Sequence, residues 1–211
     1  MAKKNLNKLG ILIGCRDVVF AKMTADASSG TTYETDIYSA PGVIEIGLTA
    51  QVTNESLGAD DVPLYEVLNS LDGFDVNVNM ASLGNDGKAF VLGNTIDSNG
   101  VLVEASDDEA PYLAMGFKTA RSDGSDDYVW LYKGKFAQSD ATFHTKEKGT
   151  VNWQTPTLTG TFMPRISDKR IRATVNTNDE DAASVLATFF DTVYTPDTTV
   201  SNDTTGDDDG E

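Results

Sequence analysis

The sharpest periodicity in the chain lies at residues 74–80 (FDVNVNM), where Phe74, Val76, Val78 and Met80 alternate with Asp75, Asn77 and Asn79. A period of two sends successive side chains to opposite faces of a strand, so one face is apolar and the other wet. Asp and Asn are poor strand formers. Three of them on one face mark either a surface that must stay hydrated or an ordinary solvent-facing sheet. Residues 43–52 repeat the pattern, with Ile44, Ile46, Leu48 and Ala50 on one side and Glu45, Thr49 and Gln51 on the other.

Further strands are predicted at 16–24, 111–119, 128–136, 150–163 and 169–175, the last with Ile171, Ala173 and Val175 on one side. The segment 121–127 (RSDGSDD) has the Asp-Gly chemistry of a hairpin turn. Pro156 argues that its strand is at an edge or carries a bulge. Residues 28–38, 54–63 and 138–149 read as loops. Residues 64–71 suit either a strand or one helical turn, 87–92 suit a short helix, and 99–104 suit a turn and strand end.

A longer helix is expected at 179–194. Asn178 and Asp181 have the cap spacing, the acids Asp179–Asp181 lie at the positive end of the dipole, and Val185, Leu186, Phe189 and Phe190 form an apolar stripe. Pro196 stops it. The fold class is therefore mainly β, a β-sandwich or barrel with one packed α-helix, spanning 16–194. Residues 1–15 read as a flexible N-terminal arm. Residues 195–211 have no large apolar side chain except Val200 and end in an acidic run, a composition that predicts disorder.

The charge is distributed unevenly. Residues 23–117 carry sixteen acids and one base, Lys88, for a net −15. Residues 1–22 and 118–172 are each +4, residues 173–211 are −10, and the whole chain of 211 residues is −17. Strand-forming sequence with that much negative charge repels nucleic acid phosphate or presents acid to a basic partner. The positive blocks on either side make a second copy of the chain one such partner.

Candidate chemistry is sparse. His144 is the only histidine and sits in a polar loop, and no G-x-S-x-G elbow or phosphate-binding glycine loop occurs. The single cysteine, Cys15, excludes a disulfide framework and a cysteine-based zinc site. The acidic groups Asp60-Asp61, Asp107-Asp108-Glu109 and Asp123/Asp126/Asp127 lack EF-hand spacing and read as solvated loop acids. Trp130 and Trp153 read as core or interface aromatics rather than the floor of a carbohydrate groove. No run approaches the roughly 20 apolar residues of a membrane-spanning helix. Leu12-Ile13-Gly14-Cys15 looks like a lipoprotein cleavage site, but the apolar run before it is shorter than the about 7–15 residues a signal uses. No catalytic residue, metal or cofactor is expected, so the chain reads as structural rather than enzymatic.

Thr150–Arg165 (TVNWQTPTLTGTFMPR), with Tyr128–Phe136 (YVWLYKGKF) and Asn99–Glu104 (NGVLVE) before it, resembles the major tail protein of phages with long non-contractile tails. Gly14–Thr24 and Leu57–Pro63 stand at matching places, and the resemblance runs from about Leu9 to Tyr194. It implies a β-sandwich with a flanking helix, similar to type VI secretion tube proteins, six copies of which close into a ring whose inner sheets form one β-barrel. Stacked rings make the tail tube through which DNA leaves the virion. Implied partners are other copies of the chain and tail proteins such as the tape measure and terminator, with DNA passing unbound and no membrane involved. On this basis Glu45, Thr49, Gln51, Asp75, Asn77 and Asn79 are expected to face the lumen. The N-terminal arm and the loops with Asp60, Asp61, His144, Lys146 and Lys148 are expected at subunit contacts. The alternative is a surface-displayed, carbohydrate-binding or adhesin-like β-sandwich.

Overall fold

The computed structural model describes residues 10–59, 62–138, 143–145, 149 and 153–196, with the backbone alone for 57–59 and 62–67. The strands are β1 (Leu12–Ala27), β2 (Gly30–Tyr33), β3 (Tyr38–Ala40), β4 (Val43–Ala59), β5 (Val62–Met80), β6 (Thr95–Ile96), β7 (Leu102–Val103), β8 (Leu113–Arg121), β9 (Asp126–Ala137), β10 (Thr157–Phe162) and β11 (Arg172–Asn176). Helix α1 spans Asn85–Leu92, and a 3-10 turn at Glu180–Ala182 leads into the single turn α2, Ala183–Leu186. The fold is mainly β, as the alternations predict.

One antiparallel sheet runs in the order β2-β1-β8-β9-β10-β5-β4, with β3 added to β1 and β11 to β9. It forks along β9. The first half of that strand pairs with β11 (Asp127↔Asn176 to Leu131↔Arg172), and the last residues pair with β10 (Gly134↔Phe162 to Ala137↔Thr159). The register slips where Leu113 faces Gly134 but Met115 faces Leu131, which puts one extra residue into β9. Such a bulge reverses the in–out alternation. Val129 and Leu131 point into the main core, yet beyond the bulge Phe136 does so too.

The fork lets β10, β5 and β4 fold over β1, β8 and β9. Phe74, Val76, Val78, Met80, Leu158 and Phe162 from one layer bury against Val18, Phe20, Met115, Phe117, Val129 and Leu131 from the other. Helix α1 closes one side of this core with Val91. It ends at Gly93, whose positive φ of 78° suits glycine, and a Cβ there would meet the Glu109 carbonyl. The opposite face of β1, β8 and β9 carries a second core of Val19, Ala21, Ala114, Trp130 and Tyr132, covered by Phe189 and Val193 from the C-terminal segment. Burial on both faces explains the unbroken apolar runs in β8 and β9. The sheet stays open: Cys15 Sγ on β1 comes within 3.9 Å of the Ile44 carbonyl on β4, but no ladder joins the two edges.

Several expectations need correction. The first strand begins at Leu12, inside the expected arm 1–15, because the Gly10 and Ile11 amides find acceptors on Asp123 and Ser122 and the ladder with β8 follows. Residues 28–38 are not a plain loop, since β2 pairs with the end of β1 and Thr24 and Thr32 share a 2.7 Å hydroxyl contact. Residues 54–59 and 62–63 are strand rather than loop. Cross-strand pairs such as Asn54↔Asn69 and Ser56↔Val67 extend the β4–β5 hairpin despite its turn-forming composition.

The helix expected at 179–194 has its one α turn at Ala183–Leu186, with turns following. Beyond Leu186 the amides of Thr188, Phe189 and Asp191 donate three residues back, to Val185, Leu186 and Thr188, and the Phe189 carbonyl accepts the Trp130 indole N–H at 2.7 Å. Asp179 accepts the Asn176 amide instead of capping the segment with its side chain. Ile171 precedes β11 and enters the main core, whereas Ala173 and Val175 pack against the second. Residues 1–9 and 197–211 lie outside the described residues.

Candidate functional surface

The wet positions read from the sequence share one surface. Strand register sets Glu45 opposite Asn79 and Thr49 opposite Asp75, and on the other side of β5 sets Thr157, Thr159 and Thr161 opposite Asn79, Asn77 and Asp75. Residues paired across a ladder project to the same face. The outer face of β4, β5 and β10 is therefore carboxylate, amide and hydroxyl, while Phe74, Val76, Val78 and Met80 behind it are buried.

Asp75 is the hub. Its Oδ1 accepts Gln51 Nε2 at 2.8 Å and Thr161 Oγ1 at 3.0 Å, and Asn79 Nδ2 donates to Thr157 Oγ1 at 3.1 Å. Glu45, Thr49, Gln51 and Asn77 are exposed, and Asp75 and Asn79 half-buried. The face continues onto β9 through Lys135, opposite Thr161, and Ala137, opposite Thr159. A shallow groove of about 450 Å³ crosses it beside Asp75, Asn77, Lys135 and Thr159. Lys135 is its one cation among the described residues, with Nζ 4.6 Å from the Tyr112 ring centroid. The three threonines are absent from the sequence-based site, although Leu158 and Phe162 alternate with them and both are buried.

Beyond Gln51 and Gly73 the β4–β5 hairpin leaves the core. Val52, Leu68 and Leu71 are exposed there at 48%, 64% and 46%. An isolated two-stranded ribbon is marginal in water, and among the described residues no core cluster includes these side chains. Asp60, Asp61, Lys146 and Lys148 lie outside the described residues. His144 is exposed, and its backbone carbonyl accepts Gln154 Nε2 at 3.0 Å.

Elsewhere several acids are engaged internally. Asp108 accepts Asn94 Nδ2 and the Ala105 amide, and these bonds lower its pKa. Hydrogen bonds from the Ser125 hydroxyl and amide and the Gly10 amide hold Asp123 at about 2. Burial would raise Asp127, but Arg121 and Asn176 outweigh it and bring it below the usual carboxylate range. Among the described residues no group of three or more His, Cys, Asp or Glu is arranged to hold a metal ion. Trp130 is fully buried and unavailable to a carbohydrate groove, whereas Trp153, expected in a core or interface, is 87% exposed. No protein-family model matches the chain, and no curated protein matches it either.

Proposed function

We propose that the chain is a tail tube protein of the virion, in which six copies close into a ring, rings stack, and the face built around Asp75 lines the channel through which DNA leaves. The observation that carries this is the sidedness of β4, β5 and β10: one surface is core, and the other is continuous carboxylate, amide and hydroxyl with a cation only at its margin. A DNA conduit must not hold its cargo. Phosphate is drawn to Lys and Arg and repelled by carboxylates, so Glu45 and Asp75 keep the wall non-adhesive while the amides and hydroxyls keep it hydrated.

The open edge of β4 and the unsupported hairpin arm fit the same assignment. An exposed strand edge is an aggregation hazard in a monomer, and closing several sheets into one barrel removes it. Rotationally closed rings use two different surfaces of each copy, which suits a chain whose segments alternate in charge. Tape measure and terminator proteins would contact the same tube. Assembly would take place in the host cytoplasm.

Electron microscopy of the purified protein, alone and with a tail initiation complex, tests this directly. Rings or tubes with a central channel are expected. Particles that stay compact and without a channel in both conditions would overturn it.

A further inference from the structure

Phe143 and Trp153 are each 87% exposed, the highest values among the large apolar side chains of the described residues. Trp offers about 150–250 Å² of surface for burial and is among the side chains most enriched as interface anchors. The same chain has a place for such an anchor. A groove of about 320 Å³ opens between β11 and the C-terminal segment, walled by Ala173, Val175, Val185 and Phe189 and rimmed by Asp179 and Asp181.

Charge favours the same match. Neither Asp179, Glu180 nor Asp181 has an ion-pair partner among the described residues. The segment 118–172, to which Trp153 belongs, carries a net charge of +4 in sequence, against −10 for the segment 173–211 that holds these acids. Opposite potentials on two surfaces raise encounter rate and fix orientation even where they add little affinity.

We propose that Trp153 of one copy seats in the β11–α2 groove of a second copy. Anchor and groove are different surfaces, so every copy offers one of each. Repetition then builds a ring or a stack according to the rotation at each step. The inference rests on the proposed function only in needing a second copy, and it names a contact that the channel-lining face does not involve.

Sedimentation velocity on the full chain tests it with Trp153→Ser, at an exposed position, and Ala173→Trp, which fills the groove from a half-buried position whose side chain shares the groove face of β11 with Val175. Each variant alone should self-associate about thirtyfold more weakly, or worse, as expected for losing an interface hot spot. An equimolar mixture retains one intact anchor and one intact groove, so it should form heterodimers and nothing larger. Acrylamide quenching adds a second readout, because the chain has two tryptophans and Trp130 is buried. Quenching of Trp153 should fall on wild-type assembly.

Wild-type-like assembly of Trp153→Ser, a mixture that stays monomeric, or a wild type that never self-associates would each overturn the contact. Tubes formed by Trp153→Ser would do so while leaving the tail tube proposal standing. Wild-type protein that uses the contact yet builds no channel would support the contact and sink the tail tube.

Discussion

The Lys133 amine lies 2.6 Å from the Asp26 carboxylate, an ion pair between β9 and the end of β1 whose side chains are only 9% and 6% exposed. Asp26 also accepts the Ile166 amide and the Thr31 hydroxyl, so one carboxylate ties the 163–170 loop to the β1–β2 hairpin. The loop's own Arg165 is buried, paired to Asp168 and set 3.9 Å from the centroid of the Tyr132 ring.

Removing one partner leaves the other charge buried and uncompensated. Lys133→Met should therefore cost about 3–5 kcal/mol in urea unfolding. The double variant Asp26→Asn, Lys133→Met should lose less than the sum of the single changes. A loss below about 1 kcal/mol for Lys133→Met, a value typical of surface pairs, would show that water reaches the site.

Acid should weaken the fold through the same groups. Burial would raise Asp26, but the bonds from Lys133, Ile166 and Thr31 bring it below its usual value. Asp123 is held at about 2. A depressed folded pKa contributes stability that is present above the unfolded value, roughly 3.9, and is lost as pH falls through the folded value. Urea midpoints should be flat above about pH 5 and fall between about pH 4 and pH 2. Lys133→Met should show a shallower fall. A midpoint that rises on acidification would contradict these assignments.

Gly134 sits where β9 passes beneath Phe162, and a Cβ there would come within 2.6 Å of the ring. Gly134→Ala should destabilise by about 1–3 kcal/mol through overpacking. Gly14→Ala is the control, since a Cβ at Gly14 meets nothing within 4 Å. Equal melting temperatures for the two variants would mean that the β9–β10 junction has slack.

The sheet and its wet face were legible because the core enforces alternation. Wherever one face of a strand is buried, as at Phe74–Met80, the sequence has to show it. The hairpin arm has no core beneath it, so Asn54 and Ser56 read as turn residues although the β4–β5 ladder carries them as strand. The C-terminal segment kept the stripe of a helix but not the helix: its amides turn back by three residues, and Phe189 and Val193 cover the second core, a tertiary demand that local spacing does not show. The Asp26–Lys133 pair was invisible for another reason: its members stand 107 positions apart, and only the fold brings them together.

Reversing charge on the wet face separates folding from function. Asp75→Lys with Glu45→Lys should leave the protein folded at a cost of about 1–3 kcal/mol, since Glu45 is exposed and Asp75, half-buried, loses its bonds to Gln51 and Thr161. Virions carrying both should eject DNA more slowly, and the slowing should diminish as salt screens the new lysines. Wild-type ejection kinetics at low salt would place these residues away from the DNA path.

A density map of the assembled protein at side-chain resolution is the most direct measurement of the central claim. The expected map has a channel wall of repeated β4, β5 and β10, with Glu45, Asp75, Asn77 and the β10 threonines turned toward the axis. A map with that face on the outer rim, or with cationic side chains lining the axis, would contradict it.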